Sequence, residues 1–219
     1  MADEKSPAAR LRRACGSLAI QLLPAQEAAL LSYLGLLQKW NATYNLTSIR
    51  DPVRMLTHHI VDSLAVVPHL RRHLLTTPAH RVVDAGSGAG LPGAVLAMVF
   101  PELRVTCIDS VGKKASFVRQ VAAEIPVLNL ESLHSRLEIL HEPRADVITS
   151  RAFATLADMV QATRNLLAPG GVWLAMKGRN PQSEITGLPA DIETFHVEQI
   201  VVPELDAERC VVWLRKAAA

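Results

Sequence analysis

Asp84-Ala85-Gly86-Ser87-Gly88-Ala89-Gly90-Leu91-Pro92-Gly93 places three glycines between a short apolar run, Arg81-Val82-Val83-Asp84, and a longer one, 91–100, and a fourth, Gly93, inside the second. The first run has the length of a strand. The second has the length of a helix, with Pro92 placed for its first turn. Glycines at such a junction permit a tight turn and let a ligand approach backbone that a β-carbon would shield. Two ligand classes use a loop of this kind. A dinucleotide asks for G-x-G-x-x-G, which 88–93 satisfies. S-adenosylmethionine (AdoMet) asks for an acid at the strand end and then G-x-G-x-G, which Asp84 with Gly86, Gly88 and Gly90 satisfies. A carboxylate two residues before the first glycine repels a pyrophosphate and suits the ammonium of a methionine moiety. The dinucleotide string also begins four residues past Asp84, too late for a strand end, so the charge favours AdoMet.

Working outward, Val105-Thr106-Cys107-Ile108-Asp109 reads as the next strand and ends on an acid 19 residues after Gly90. An acid there can accept both ribose hydroxyls, or cap the following helix, and the two roles are compatible. Val118, Val121, Ala122 and Ile125 form a helical stripe stopped by Pro126. Val127–Leu130, Asp146–Ser150 and Val172–Met176 are further strand candidates. A helix carrying Leu156, Met159, Val160 and Leu167 separates the last two and is closed by Pro169-Gly170-Gly171. Phe195–Val202 and Cys210–Arg215 are close enough in sequence to pair antiparallel. Upstream, Leu30, Tyr33, Leu34 and Leu37 mark an amphipathic helix ending near Trp40-Asn41. Asp51-Pro52 opens another, with Ile60, Leu64 and Val67 on one face. Alternating strands and helices predict an α/β, doubly wound, mostly parallel sheet. Residues 1–75 form a helical N-terminal extension, 76–219 one compact α/β unit, and the C-terminal strand runs antiparallel.

Hydrophobic residues make up 49% of the 219 and charged residues 20%, which excludes a disordered or collagen-like chain. The longest apolar run, 91–100, is far short of the roughly 20 residues of a membrane-spanning helix. The N-terminus lacks a signal-peptide pattern. Cys15, Cys107 and Cys210 are odd in number and far apart, and the eight histidines form no Cys/His cluster. A soluble, cytoplasmic protein without membrane anchor, metal or disulfide is expected, and a monomer. Residues 1–80 carry four more cations than anions, 81–180 two more, and 181–219 four fewer. A nucleic-acid partner would therefore meet the first two thirds of the chain.

Ser135-Arg136-Leu137-Glu138, after the third strand, would lie beside an adenine: a backbone N–H meets a ring nitrogen and Glu138 accepts from the exocyclic amine. The fourth strand ends as Thr149-Ser150-Arg151-Ala152-Phe153, where the reacting centre of a doubly wound sheet lies. The Asn/Asp/Ser-Pro-Pro-aromatic segment of amino-group methyltransferases is missing there. The cysteine nucleophile of pyrimidine-carbon enzymes is missing too, since Cys107 and Cys210 belong to strands elsewhere. Methylation of guanine N7 needs neither, because N7 carries an in-plane lone pair and no proton. Alignment and exclusion of water then drive transfer. Arg151 could hold the methionine carboxylate or a guanine O6/N7 edge, and Lys177 an RNA phosphate. Arg136, Arg151, Lys177 and Arg179 all follow strand ends, more cations than a small-molecule acceptor requires. Phe153 stacks on a base or, more commonly for an aromatic after a central strand, belongs to the core.

These residues together resemble the bacterial small-subunit ribosomal RNA methyltransferase G family, also called glucose-inhibited division protein B. The likeness runs from about Leu22 to Arg215. It is carried by Trp40-Asn41-x-x-Tyr44-Asn45-Leu46-Thr47-Ser48, His59-Ile60-Val61-Asp62-Ser63, the 84–93 loop, Asp109-Ser110-x-Gly112-Lys113, Ser150-Arg151-Ala152-Phe153 and Lys177-Gly178. The resemblance implies a class I (Rossmann-like) AdoMet-dependent methyltransferase fold. It implies methyl transfer from AdoMet to N7 of a guanine in the decoding-region loop of 16S rRNA, with the rRNA or a small-subunit particle as partner. It also implies cofactor contacts at Gly86, Leu91, Leu137, Glu138 and Arg151, and functional basic residues at Arg136, Arg151 and Lys177. Where the family often has proline between its second and third loop glycines this chain has Ala89, a less rigid turn. Trp40 and Tyr44 are expected to seal the N-terminal helices onto the sheet, and Asn45 and His59 to line the acceptor side or to be structural.

Overall fold

The computed structural model describes residues 3–151, 153–178 and 181–217. Its centre is a seven-stranded sheet of β1 (Arg81–Ala85), β2 (Arg104–Asp109), β3 (Leu130–His134), β4 (Ala145–Arg151), β5 (Leu167–Lys177), β6 (Ile192–Ile200) and β7 (Arg209–Lys216). The spatial order is β3-β2-β1-β4-β5-β7-β6. β1 to β5 pair in parallel, and β7 runs antiparallel to both β5 and β6. From β1 the chain first winds one way, through β2 and β3, and then returns to β4 on the other side. The crevice this reversal leaves lies at the carboxyl ends of β1 and β4.

Helices α1 (Pro7–Ser17), α2 (Pro24–Tyr44), α3 (Pro52–Met55), α4 (Asp62–Leu64) and α5 (Val67–Thr76) precede the sheet. Helices α6 (Gly93–Val99), α7 (Gly112–Glu124), α8 (Leu156–Thr163) and α9 (Gln182–Thr186) alternate with its strands. Two apolar cores result. One joins α1, α2, α5, α6 and α7 to one face of the sheet through Leu11, Leu37, Leu70, Leu96, Phe117 and Trp213. The other packs α8 on the opposite face through Leu156, Met159, Val160 and Trp173. Every residue of α6 is buried, as expected of a helix lying between a sheet and a further helix layer.

Several boundaries differ from the sequence reading. Helix α2 continues past Trp40-Asn41 to Tyr44, where Asn45 takes a left-handed conformation (φ 48°) and Lys113 donates to the carbonyl of Tyr44 (2.7 Å). Trp40 packs on Tyr44 and on Phe117, so it seals α2 onto α7 and not onto the sheet, while Tyr44 is exposed at the end of α2. Asp51 does cap α3, accepting from the Arg54 N–H, but Leu56–Val61 then forms a π-helical turn. The third strand starts at Leu130, where the expected one ended. The Asn129 side chain donates to the carbonyls of Ala97, Phe100 and Leu103, tying the entry of the strand to the end of α6, while its own carbonyl already accepts from Val105 of β2. Helix α8 stops at Thr163, so Leu167 and Pro169-Gly170-Gly171 belong to β5. The pairing jumps there from Ala145↔Leu167 to Val147↔Val172, so the apparent helix stop is a bulge.

Candidate active site

The glycine loop crosses the carboxyl end of the sheet in a fixed path. Gly86, Gly88 and Gly90 all have positive φ (64°, 60° and 86°). Ser87 N–H donates to the carbonyl of Ile108, Gly90 and Leu91 N–H groups donate to the carbonyl of Ser87, and the buried Tyr33 hydroxyl of α2 donates to the carbonyl of Ala89 (2.7 Å). A β-carbon on Gly93 would lie 2.7 Å from that of Asp84 and 2.6 Å from Cys107 Sγ, so only glycine lets α6 start this close to β1 and β2.

A cavity of about 350 Å³ opens beside the loop. Gly86, Ile108, Asp109 and Ser110 line one side, Arg136, Leu137 and Glu138 another, and Phe153 closes it. Asp109 bridges loop and helix: Oδ2 accepts from the Gly88 N–H and Oδ1 from the Val111 N–H, both at 2.8 Å. The bond to Val111 closes a turn before α7, whose N-cap is Val111 itself and carries no side-chain cap, and each Asp109 oxygen keeps a second lone pair. Glu138 and Arg136 are exposed at the rim and Leu137 is buried in the wall. A bare edge at Gly86, whose β-carbon would come 3.4 Å from the Phe153 ring, together with two carboxylates and an apolar wall, fits a nucleoside carrying a diol and an amine.

Five expected cofactor contacts lie outside this cavity, Arg151 among them, which faces a second cavity. Asp84 is fully buried and lines neither cavity; Oδ2 accepts from the Gly93 N–H (2.7 Å) and Oδ1 has no partner. Burial pushes its pKa up to about 7, partly offset by the Gly93 N–H and by the charge of Arg151. Through the Gly93 N–H, Asp84 holds the start of α6 from beneath the loop. Gly88 and Gly90 shape the loop, with the Gly88 N–H already committed to Asp109 and Gly90 packed against Val118. The Leu91 side chain is in the core.

A second cavity, about 430 Å³, adjoins the first across Phe153. Arg151, Met176 and Lys177 face it from β4 and β5 and Gly178 from just beyond β5; Ile49 joins from the loop after α2, His58, His59 and Asp62 from the helical segment that follows, and Arg209 from the start of β7. Asp62 is 2% exposed and accepts from Arg151 Nη1 (3.0 Å) and Arg209 Nε (2.8 Å). A carboxylate this deeply buried requires such partners. Arg151 Nη1 also donates to the carbonyl of His58. His59, 7% exposed, has Nε2 3.0 Å from the Thr47 hydroxyl, while Nδ1 has no partner. Burial, reinforced by Arg151, lowers its pKa to about 4 and keeps the ring neutral. Asn45 caps α2, accepts from Arg50, and lies outside both cavities.

Lys177 departs from the expected free phosphate ligand. Its side chain is only 12% exposed, and its ammonium sits 2.9 Å from Glu184 and within 3.3 Å of the carbonyls of Phe153 and Ala154. It fixes the segment that carries Phe153. Phe153 itself is half-buried and walls both cavities instead of belonging wholly to the core. Arg179 and Ala152 lie outside the described residues. The sequence reading missed Asp62, Arg209 and Glu184 as site residues. Asp62 stood in a quoted motif, but its arginine partners are 89 and 147 residues away, and no local pattern signals such a pairing. Among the described residues no group of three His, Cys, Asp or Glu could hold a metal, and no helix is long and apolar enough to cross a membrane.

A family model described as rRNA small subunit methyltransferase G matches residues 26–212. The chain belongs to this family. Relatives named Ribosomal RNA small subunit methyltransferase G include one from Acidovorax sp. (strain JS42), 52% identical over 95% of both chains. Another, from Leptothrix cholodnii, is 55% identical over 91% of both. Among solved structures, MtNAS in complex with MTA and tNA superimposes with a TM-score of 0.60 at 13% identity, over 95% of this chain and 82% of that one. TrmN from Thermus thermophilus superimposes at 0.55 with 20% identity, over 74% of this chain and 53% of that one. At such identities the likeness is one of fold, and the fold of this methyltransferase G family member is the class I methyltransferase fold, as expected.

Proposed function

We propose that the chain methylates N7 of a guanine in the decoding-region loop of 16S rRNA, using the Gly86–Asp109–Glu138 cavity for AdoMet and the Arg151–Arg209 cavity for the target base. As a member of the methyltransferase G family it is an AdoMet-dependent rRNA methyltransferase; the atom and the residues are the proposal. AdoMet supplies an electrophilic methyl on a sulfonium. Asp109 binds the ribose hydroxyls, Glu138 and the Leu137 backbone meet the adenine, and Gly86 admits the ligand edge. Arg151, next to Phe153 between the cavities, holds the methionine carboxylate or the base edge.

The observation that carries the choice of N7 is the state of Asp62. It is the one carboxylate among the described residues lining the second cavity, and both its oxygens are taken by guanidiniums. The cavity thus presents donors, which suit the O6 edge of guanine. An exocyclic amine would need an acceptor open to the cavity, and Asp62, 2% exposed behind its two guanidiniums, does not present one. N7 gives its lone pair without releasing a proton, so the residues orient the base and exclude water while no base removes a proton.

Incubating small-subunit particles with the protein and methyl-labelled AdoMet, then digesting the RNA to nucleosides, tests the reading. Label in 7-methylguanosine is expected; label in an amino-methylated nucleoside, or none, would sink it. The buried thiols of Cys15, Cys107 and Cys210, not joined in a disulfide, fit a cytoplasmic location, and a monomer, with residues 1–75 as a cap on a 76–219 catalytic unit, completes the proposal.

A further inference from the structure

We infer that Arg209 is an RNA phosphate ligand, seating the backbone next to the target nucleotide, and that Asp62 is the positioning residue that aims it. This rests on the assignment of the second cavity to the target base. The sheet order separates Arg209 from the cofactor: the AdoMet cavity lies over β1, β2 and β3, whereas Arg209 opens β7, beyond β4 and β5. It therefore stands on the acceptor side of Arg151.

Arg209 also faces two spaces. It lines the base cavity and, with Gly178, Ala207 and Glu208, a separate open groove of about 490 Å³. Gly178 and Arg209 are common to both, so a strand whose base occupies the cavity has a continuous way out past this guanidinium. Its inner edge is fixed by Nε to Asp62 and by Nη1 to its own Glu208 carbonyl (2.9 Å), which orients the planar fork. A guanidinium held rigidly at a cavity mouth pre-organises a phosphodiester contact, which positions the chain without reading the base. Glu208 is the one acid among the described residues lining the groove, and its charge would disfavour a phosphate on its own side.

The test is the salt dependence of small-subunit particle binding, with wild-type methyl transfer as the control: a wild type that labels no rRNA refutes the functional assignment, not this inference. Arg209→Ala should weaken particle binding about tenfold, leave AdoMet affinity within twofold, and reduce the slope of log Kd against log salt by about 0.7, the loss of one phosphate contact. Arg209→Lys should keep the slope while slowing transfer. Asp62→Asn should lower the slope as Arg209→Ala does; a merely structural Asp62 would lower Tm and leave the slope alone. If Arg209→Ala folds poorly because Asp62 loses a partner, the double variant Asp62→Asn/Arg209→Gln is read instead, with the same reduced slope expected. An unchanged slope in the folded variant, or AdoMet affinity falling in step with particle binding, overturns the inference.

Discussion

Single residues set the cofactor pocket, and Gly86 sets its most exposed edge. A branched side chain there has to tolerate φ near +64° and point at Phe153, inside the space the ligand needs. Gly86→Val should abolish AdoMet binding by calorimetry while circular dichroism stays near wild type; retained binding would move the cofactor elsewhere. Asp84 carries a pH signature. Its folded pKa of about 7 lies above the unfolded value near 3.8, so the folded state binds more protons between those limits. Stability must then fall as pH rises from about 4 to 7 and level off above. Asp84→Asn keeps an acceptor for the Gly93 N–H and removes the charge. Its advantage over wild type in urea melts should therefore grow across that window, and a constant difference would show Asp84 ionised throughout. The sequence made the acid and the glycines visible as a unit. It could not tell a carboxylate facing a ligand from one buried beneath the loop, because both satisfy the same spacing.

At the scale of elements, Lys177 at the end of β5 clamps the segment after β4 to α9. It holds Glu184, which in turn accepts from the Leu156 N–H that opens α8. Losing a charge-assisted contact of this kind costs about 1.5–3 kcal/mol. Because Phe153 walls both cavities, Lys177→Ala should weaken AdoMet binding by roughly tenfold and methyl transfer by more, with Lys177→Arg partly restoring both. AdoMet affinity unchanged in Lys177→Ala would return this lysine to the RNA. The bulge in β5 makes a second case. A β-carbon on Gly171 would sit 3.0 Å from the carbonyls of Ala145 and Asp146. Gly171→Ala should cost about 1–2 kcal/mol, roughly 2–8 °C in Tm, without altering the ratio of transfer rates between substrates. Pro169-Gly170-Gly171 reads as a helix stop because proline and glycine end helices and bulge strands alike. Which of the two occurs is settled by the neighbour β4, not by the tripeptide.

For the whole molecule, alternating strands and helices plus one glycine loop were enough to place the crevice. The order β3-β2-β1-β4-β5-β7-β6 then puts the two cavities side by side at the carboxyl ends of the strands. The order of β6 and β7, and with it the approach of Arg209 to Asp62, follows from long-range pairing that no local period encodes. The N-terminal helices contribute Tyr33 to the glycine loop and His59 and Asp62 to the wall of the second cavity, so both halves of the chain line the proposed reaction chamber. On this reading the chamber delivers a methyl group to a ring nitrogen of guanine. Small-subunit RNA carrying 7-deazaguanosine at the target position, assembled into particles and offered with labelled AdoMet, tests it most directly. Labelling should disappear while particle binding persists; undiminished labelling would place the methyl on another atom and contradict the account.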